Sequence, residues 1–329
     1  MLHNWLLPVS DVNRTDIPRR AFSVCHMDGR AWASNGETYP IRFGEGALSV
    51  ESLGHSVIMR DKTILVTGAT DGIGKQTALE LARMGARVLA HGRSRARADD
   101  AAEEIRRASA NERVAPVVAD FASLQQVRDM AGEILAEYER LDVLIHNAGV
   151  FMAERRLSKD GIEMTLAVNH IAPFLLNHLL LDLVKRSAPA RIIVVSSTTH
   201  QNARIDFERL NSAGPFDGHE AYAMSKLANV LFAFELAERL AGSQVTSNAL
   251  HPGVIDTRLL RTGYGGQGAS VEVGAATPVY LASSPDVATI TGQYFARQRI
   301  ATPSPLARDR ELRRAVWEAS QRLAGIALP

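Results

Sequence analysis

The chain of 329 residues holds a single cysteine, Cys25, which excludes an intrachain disulfide, a cysteine-rich zinc site and an iron–sulfur cluster. Aromatic residues make up only 6%, so the core must be largely aliphatic. Net charge is close to zero, at +1, which argues against a nucleic-acid partner or a strongly charged substrate surface. Long apolar runs are missing as well. The greasiest stretch, IAPFLLNHLLLDLV, is broken by Asn177 and His178 and is too short to span a membrane. The opening MLHNWLLPVS has no basic n-region and too little apolar length for a secretory signal. No histidine spacing points to a metal, because His170 and His178 stand too far apart along one helix to share an ion. The expectation is a cytoplasmic protein with no metal, no membrane anchor and no nucleic-acid partner.

What is present is a hydrophobic content of 46%, enough for a substantial core. From Lys62 onward, β-branched runs (TILV, RVLA, VAPVVA, DVLIH, RIIVVS, VTSNAL, GQYF) alternate with amphipathic stretches such as GKQTALELARMG, ADDAAEEIRRAS and LQQVRDMAGEILAEY. Strands alternating with helices predict a Rossmann-type, doubly wound parallel sheet in a three-layer α/β/α sandwich. Residues 1–58 lack any sustained period and read as a weakly ordered extension, with a dimerisation arm as the alternative. Residues 59–329 read as the catalytic domain.

The stretch TILVTGATDGIGKQTALEL joins the first confident strand to a helix through Gly68, Gly72 and Gly74. Glycines there let the backbone approach a pyrophosphate, and the helix N-terminus offers free N–H groups and a positive dipole end. Thr70, Asp71 and Ile73 belong to the same loop. A site for NAD places an acid near the end of the second strand, about 20 residues on. Here RVLAHGRSRARADD has no acid before Asp99 and carries Arg93, Arg95 and Arg97. A guanidinium fork suits the 2′-phosphate of NADP, so NADP(H) is expected over NAD. Arg93, next to the strand end, is the candidate, while Arg95 and Arg97 read as a solvated face.

Tyr222 and Lys226 stand one helical turn apart in AYAMSKLANVLF, on a single face. A phenol beside a fixed cation can protonate a carbonyl oxygen. Alone the pair is weak, since a surface tyrosine lying along a lysine stem gives the same pattern. Bringing the phenol from its ordinary pKa near 10 to neutral pH requires about 4 kcal/mol.

Together these motifs resemble the short-chain dehydrogenase/reductase family, from about Met59 to the C-terminus, and most of all its retinol-dehydrogenase-like branch. The resemblance implies that Asp120 in VVADF contacts adenine, that Asn147, Ala148 and Gly149 form the NAG motif, and that Pro252, Gly253, Val254 and Thr257 lie at the nicotinamide. It implies a catalytic set of Asn169, Ser197, Tyr222 and Lys226, with Tyr222 and Lys226 also touching cofactor. Ser197 would bond the substrate oxygen, and Asn169 would hold a water relaying protons to Lys226. The segment from Arg258 to Val271 would be a mobile, glycine-rich cover over a hydrophobic aldehyde, ketone or alcohol. A homodimer or homotetramer through the helices of Asn169 and Tyr222 is implied too. The alternative reading is a catalytically silent NADP-binding regulator. A Ser-His hydrolase is disfavoured because no G-x-S-x-G elbow is present.

Overall fold

The computed structural model describes residues 31–32, 38–39 and 59–327. In the N-terminal unit, Met1–Ser56, strand β1 (Ala31–Trp32) pairs antiparallel with β2 (Thr38–Tyr39). The rest of the expectation for residues 1–58 lies outside the described residues.

The second unit, Val57–Pro329, is built on an eight-stranded sheet. Its strands are β3 (Thr63–Val66), β4 (Arg87–Gly92), β5 (Val114–Val118), β6 (Val143–His146), β7 (Ala190–Val195), β8 (Val245–His251), β9 (Tyr294–Ala296) and β10 (Arg299–Ile300). Across the sheet the order is β5-β4-β3-β6-β7-β8-β9-β10. All neighbours are parallel except the last pair. The chain winds outward from β3 to β5, then returns to the other side of β3 at β6. That reversal opens a crevice at the C-terminal ends of β3 and β6, where doubly wound sheets bind their ligands.

Both faces of the strands are apolar, as a sheet covered on both sides requires, and the side chains alternate between two cores. Ile64, Val66, Val88, Ala90 and Ile145 face one core with Leu81, Ala102 and Ile105, which come from helices α1 (Gly72–Arg83) and α2 (Arg95–Ser109). Leu65, Leu89, Leu144, Ile192 and Val194 face the other. There they meet α3 (Leu124–Glu137), the helical run formed by α4 (Met164–Leu166), a π-turn (Ala167–Ile171) and α5 (Ala172–Arg186), and further on α6 (Phe207–Asn211) and α7 (Gly218–Arg239). Each fully buried Leu or Ile contributes about 1.5–3 kcal/mol. The stretch from Met164 to Arg186 is longer than the sequence suggested and is apolar enough to cross a bilayer, yet 72% of its most apolar window is buried in the fold. It is a core helix here.

Helix α7 is buried on nearly every side, including Glu235 and Asn229, as expected of a helix covered by neighbours all round. Its outer face is covered by the C-terminal helix α10 (Arg310–Leu323). Trp317 packs edge-on to Phe174, with ring centroids 4.8 Å apart, and lies beneath the Arg239 guanidinium at 4.3 Å. Arg313, itself buried, pairs with Glu235 and Glu238. The predicted GQYF strand is β9, but the β9–β10 hairpin goes beyond the sequence reading. Its two turn residues, Arg297 (φ 51°) and Gln298 (φ 61°), are both left-handed, the signature of a type I′ turn without the usual Asn-Gly.

Candidate active site

The glycine loop follows β3 and leads into α1, with Asp71 at the helix N-cap accepting from Gly72 N–H. Gly68 (φ 66°) sits so close to the end of β6 that a Cβ there would lie 2.9 Å from the Ala148 Cα. A Cβ on Gly74 would lie 2.2 Å from the Gly68 carbonyl and 2.3 Å from Asn147 Nδ2. Thr67 and Asn147 stitch this corner. Thr67 Oγ1 accepts from the N–H groups of Asn147 (2.9 Å) and Ala148 (3.0 Å), and Asn147 Nδ2 donates to the Thr67 carbonyl at 2.8 Å. Asn147 therefore braces the loop.

His91, at the end of β4, is a site residue the sequence reading missed. Its Nδ1 accepts from Gly68 N–H at 3.0 Å and its Nε2 faces the Ala119 carbonyl at 2.9 Å. A carbonyl only accepts, so Nε2 carries the proton and the ring is neutral. Burial pushes its pKa down to about 4. The ring stacks on Phe121 at 4.3 Å. Its only signal was a histidine inside an otherwise aliphatic strand, directly before Gly92 and Arg93.

Arg93 is exposed just past β4 and makes no ion pair among the described residues, whereas Arg95 pairs with Asp99 along α2. Lys75 turns away from the loop to Glu104. Thr70 lies under Gly92, where an added Cβ would come within 2.5 Å of its methyl. Asp120 caps its own turn, accepting from Ala122 N–H. Ile73 packs against Gly274, in helix α9 (Val271–Ser283). Pro252 and Gly253 (φ 106°) follow β8 with Val254 exposed, and Thr257 caps the short helix α8 (Arg258–Gly263) beside Gly72.

Tyr222 and Lys226 lie on α7, both buried, with Lys226 Nζ 5.5 Å from the centre of the Tyr222 ring. Nζ donates to the Val195 carbonyl at 3.2 Å, and burial lowers its pKa to about 8. Burial, with the Tyr264 phenol adding, raises the Tyr222 pKa, while the nearby Ser197 side chain works the other way. Ser197 caps the turn after β7 and accepts from Thr199 N–H. Ser196 is buried and spends its hydroxyl on the Lys226 carbonyl, so of the two serines it is Ser197 that faces Tyr222.

Asn169 sits in the π-turn. Its Oδ1 accepts from Val150 N–H (2.7 Å), and its Nδ2 reaches the Val150 carbonyl and Ser225 Oγ, both at 3.0 Å. These partners hold the side-chain amide in place. Its effect is to fix Val150 and Gly149 near Lys226; a Cβ on Gly149 would lie 3.4 Å from Nζ.

The segment from Arg258 to Val271 is pinned at its neck, where Asp256 N–H bonds the Ala269 carbonyl and Ala269 N–H the Val254 carbonyl. It holds helix α8 and then a turn with Gly265 and Gly266 at positive φ. Tyr264 rests over the site, its ring centre 4.9 Å from His219, 5.8 Å from Phe151 and 6.0 Å from Tyr222. Beside this aromatic group opens a cavity of about 320 Å³ lined by Phe151, Phe216 and His219. Of the two helices implied as subunit contacts, that of Tyr222 is packed against α10, while the helix after Asn169 keeps His178, Asp182 and Lys185 exposed. Among the described residues, no group of three His, Cys, Asp or Glu is placed to hold a metal.

A glycine cradle at the switch point of a doubly wound sheet, facing a buried tyrosine and lysine and a half-buried serine, defines a class of nicotinamide-dependent oxidoreductases. The short chain dehydrogenase family model matches residues 62–264, and the chain belongs to that family, in its retinol-dehydrogenase-like branch. It is 44% identical to human Retinol dehydrogenase 13 over 284 residues, covering 82% of this chain and 86% of that one. Mouse Retinol dehydrogenase 14 is 42% identical over 293 residues, covering 82% and 87%. Among solved structures, a protein from Mycobacterium paratuberculosis superposes with a TM-score of 0.69 at 31% identity, covering 82% of this chain and 96% of that one. A short chain dehydrogenase from Escherichia coli CFT073 complexed with NADPH gives 0.61 at 25% identity, covering 74% and 99%. The protein is accordingly a carbonyl/alcohol oxidoreductase using a nicotinamide cofactor.

Proposed function

We propose that this chain reduces aldehydes or ketones on a hydrophobic, retinoid-like molecule, or oxidises the matching alcohols, with NADP(H) as cofactor and Tyr222 as general acid/base. The observation that carries this reading is the buried Tyr222–Lys226 pair, with the Ser197 side chain beside the phenol, across from the Gly68–Ala148 cradle. The cradle fits a dinucleotide, because its close backbone approach leaves no room for a Cβ at Gly68 or Gly74. Arg93, free of ion pairs among the described residues at the end of an acid-free strand, supports the 2′-phosphate. The NADPH complex of the E. coli relative supports it further.

Bound NADPH supplies the hydride. The protein's part is to place the carbonyl and deliver the proton. Burial raises the Tyr222 pKa, so in the free protein the phenol is protonated at neutral pH and starts as the proton donor. The difficulty lies in letting the proton go. A unit charge 5.5 Å away, the Lys226–ring separation, is worth about 3 kcal/mol at an effective dielectric near 20, less than the roughly 4 kcal/mol that neutral-pH matching requires even from the ordinary phenol value. Lys226 alone therefore falls short. The Ser197 side chain beside the phenol acts in the same direction. Phe151, His219 and Tyr264 form the apolar wall that a hydrophobic substrate displaces or lies along, and the retinol dehydrogenase names of the relatives agree with that wall. A dimer or tetramer would use surfaces other than those α10 occupies.

The test is NADPH oxidation with retinaldehyde, a medium-chain aliphatic aldehyde and benzaldehyde. Turnover with retinaldehyde and the aliphatic aldehyde supports the reading. Tight NADPH binding without turnover on the whole panel would favour the silent regulator.

A further inference from the structure

A chain of buried polar groups runs from the C-terminal helix to the active-site lysine. Ser320 Oγ on α10 lies 2.7 Å from His170 Nε2, and His170 Nδ1 lies 3.1 Å from Asn229 Oδ1 on α7. Asn229 Nδ2 donates to the Val195 carbonyl at 3.3 Å, the same oxygen that receives Lys226 Nζ. All four side chains are buried, with His170 and Ser320 fully so. His170 also belongs to the π-turn that carries Asn169, and π-turns concentrate at functional sites.

The directions of these bonds follow from the chemistry of the ends. The Val195 carbonyl only accepts, so Asn229 gives it an N–H and presents Oδ1 to His170. Oδ1 also only accepts, so His170 Nδ1 carries a proton. The Ser320 hydroxyl has one proton and two acceptors in reach, His170 Nε2 and the Val316 carbonyl, each at 2.7 Å. If that proton went to Val316, His170 would need a second proton to donate back. The ring is instead packed among Phe174, Phe207 and Phe232, with Asn229, Ser320 and the titratable His146 as its polar neighbours. No carboxylate stands among these groups, and burial holds the ring neutral, with its pKa near 4. Every bond then points one way, from Ser320 to His170 to Asn229 to Val195.

We propose that Ser320, His170 and Asn229 are positioning residues that aim the Val195 carbonyl, and through it the Lys226 ammonium, at Tyr222. Helix α10 thereby belongs to the proton-delivery apparatus although it touches neither cradle nor substrate wall. The inference rests on the function proposed above. A role confined to packing would change stability and leave the ionisation of the active site alone. Aiming Lys226 would change the pH at which turnover is lost.

The experiment measures kcat, NADPH KM and the kcat–pH profile for retinaldehyde reduction in the full chain. The variants are Ser320→Ala, His170→Leu, His170→Asn and Tyr222→Phe. Ser320→Ala and His170→Leu are expected to lower kcat about tenfold, the scale of one internal hydrogen bond. They should keep NADPH KM within about twofold and move the midpoint of the pH profile by about half a unit or more. His170→Asn keeps an N–H toward Asn229 and should recover most of the loss. Wild-type kcat and midpoint in Ser320→Ala and His170→Leu, with only a lower melting temperature, overturn the proposal. If Tyr222→Phe is inactive while those variants behave like wild type, only the positioning line fails. If Tyr222→Phe turns over, the catalytic reading fails and the inference falls with it.

Discussion

Replacing His91 with phenylalanine removes two hydrogen bonds while keeping the ring stacked on Phe121. Phenylalanine fills nearly the same space, so the loss of Gly68 N–H to Nδ1 (3.0 Å) and of Nε2–H to the Ala119 carbonyl (2.9 Å) is felt without a cavity. Each orphaned buried group costs about 1–3 kcal/mol, giving a total of about 2–6 kcal/mol. Because one orphan is the amide of Gly68, part of the loss falls on the glycine cradle and so on NADPH affinity. Urea unfolding followed by fluorescence reads the stability, and NADPH titration reads the affinity. A loss below about 1 kcal/mol with unchanged affinity would refute the assignment of His91 as the anchor of the loop.

Four further outcomes follow from the same geometry. Arg93→Ala should weaken NADPH about tenfold to a hundredfold, the range of a charged hydrogen bond, and leave NADH nearly unchanged; equal losses on both would remove Arg93 from cofactor choice. Gly74→Ala forces a methyl against the Gly68 carbonyl and Asn147; overpacking of this kind costs about 1–3 kcal/mol and should weaken NADPH binding. Gly132→Ala on α3, where an added Cβ meets nothing within 4 Å, should be neutral or stabilise by up to about 1 kcal/mol. His91, His146 and His170 are buried and neutral, with pKa values lowered to about 4, 3 and 4. Their contribution to stability is complete above the unfolded value near 6.5 and is lost as pH falls toward 4, by up to about 1.4 kcal/mol per pH unit for each ring. Urea midpoints between pH 7 and 4 should show a shallower decline in His146→Phe, and an unchanged slope would count against a neutral buried ring there.

The parallel sheet was legible because each strand is a short β-branched run between amphipathic helices. The cradle was legible because close backbone approach at Gly68 and Gly74 admits only glycine. Tyr222, Lys226 and Ser197 converge because one helix turn and one strand end place them. What stayed hidden depends on tertiary partners. His91 is an ordinary histidine until Gly68 and Ala119 close on it. The partners that hold the Asn169 amide, Val150 and Ser225, are remote in sequence and give no local signal. The β9–β10 turn uses Arg297 and Gln298, residues that give no warning of positive φ. Arg313 sits among charged neighbours in sequence, yet it is buried against Glu235 and Glu238, and its helix brings Trp317 onto α7 and Ser320 onto His170.

The central claim is that a buried phenol delivers the proton beside a bound nicotinamide. Tyr222→Phe keeps the ring and its packing and removes only the hydroxyl. Measured side by side, NADPH affinity should stay within about threefold of wild type while retinaldehyde reduction falls by at least about a hundredfold, the lower end of general acid catalysis. Full turnover in Tyr222→Phe would contradict the account.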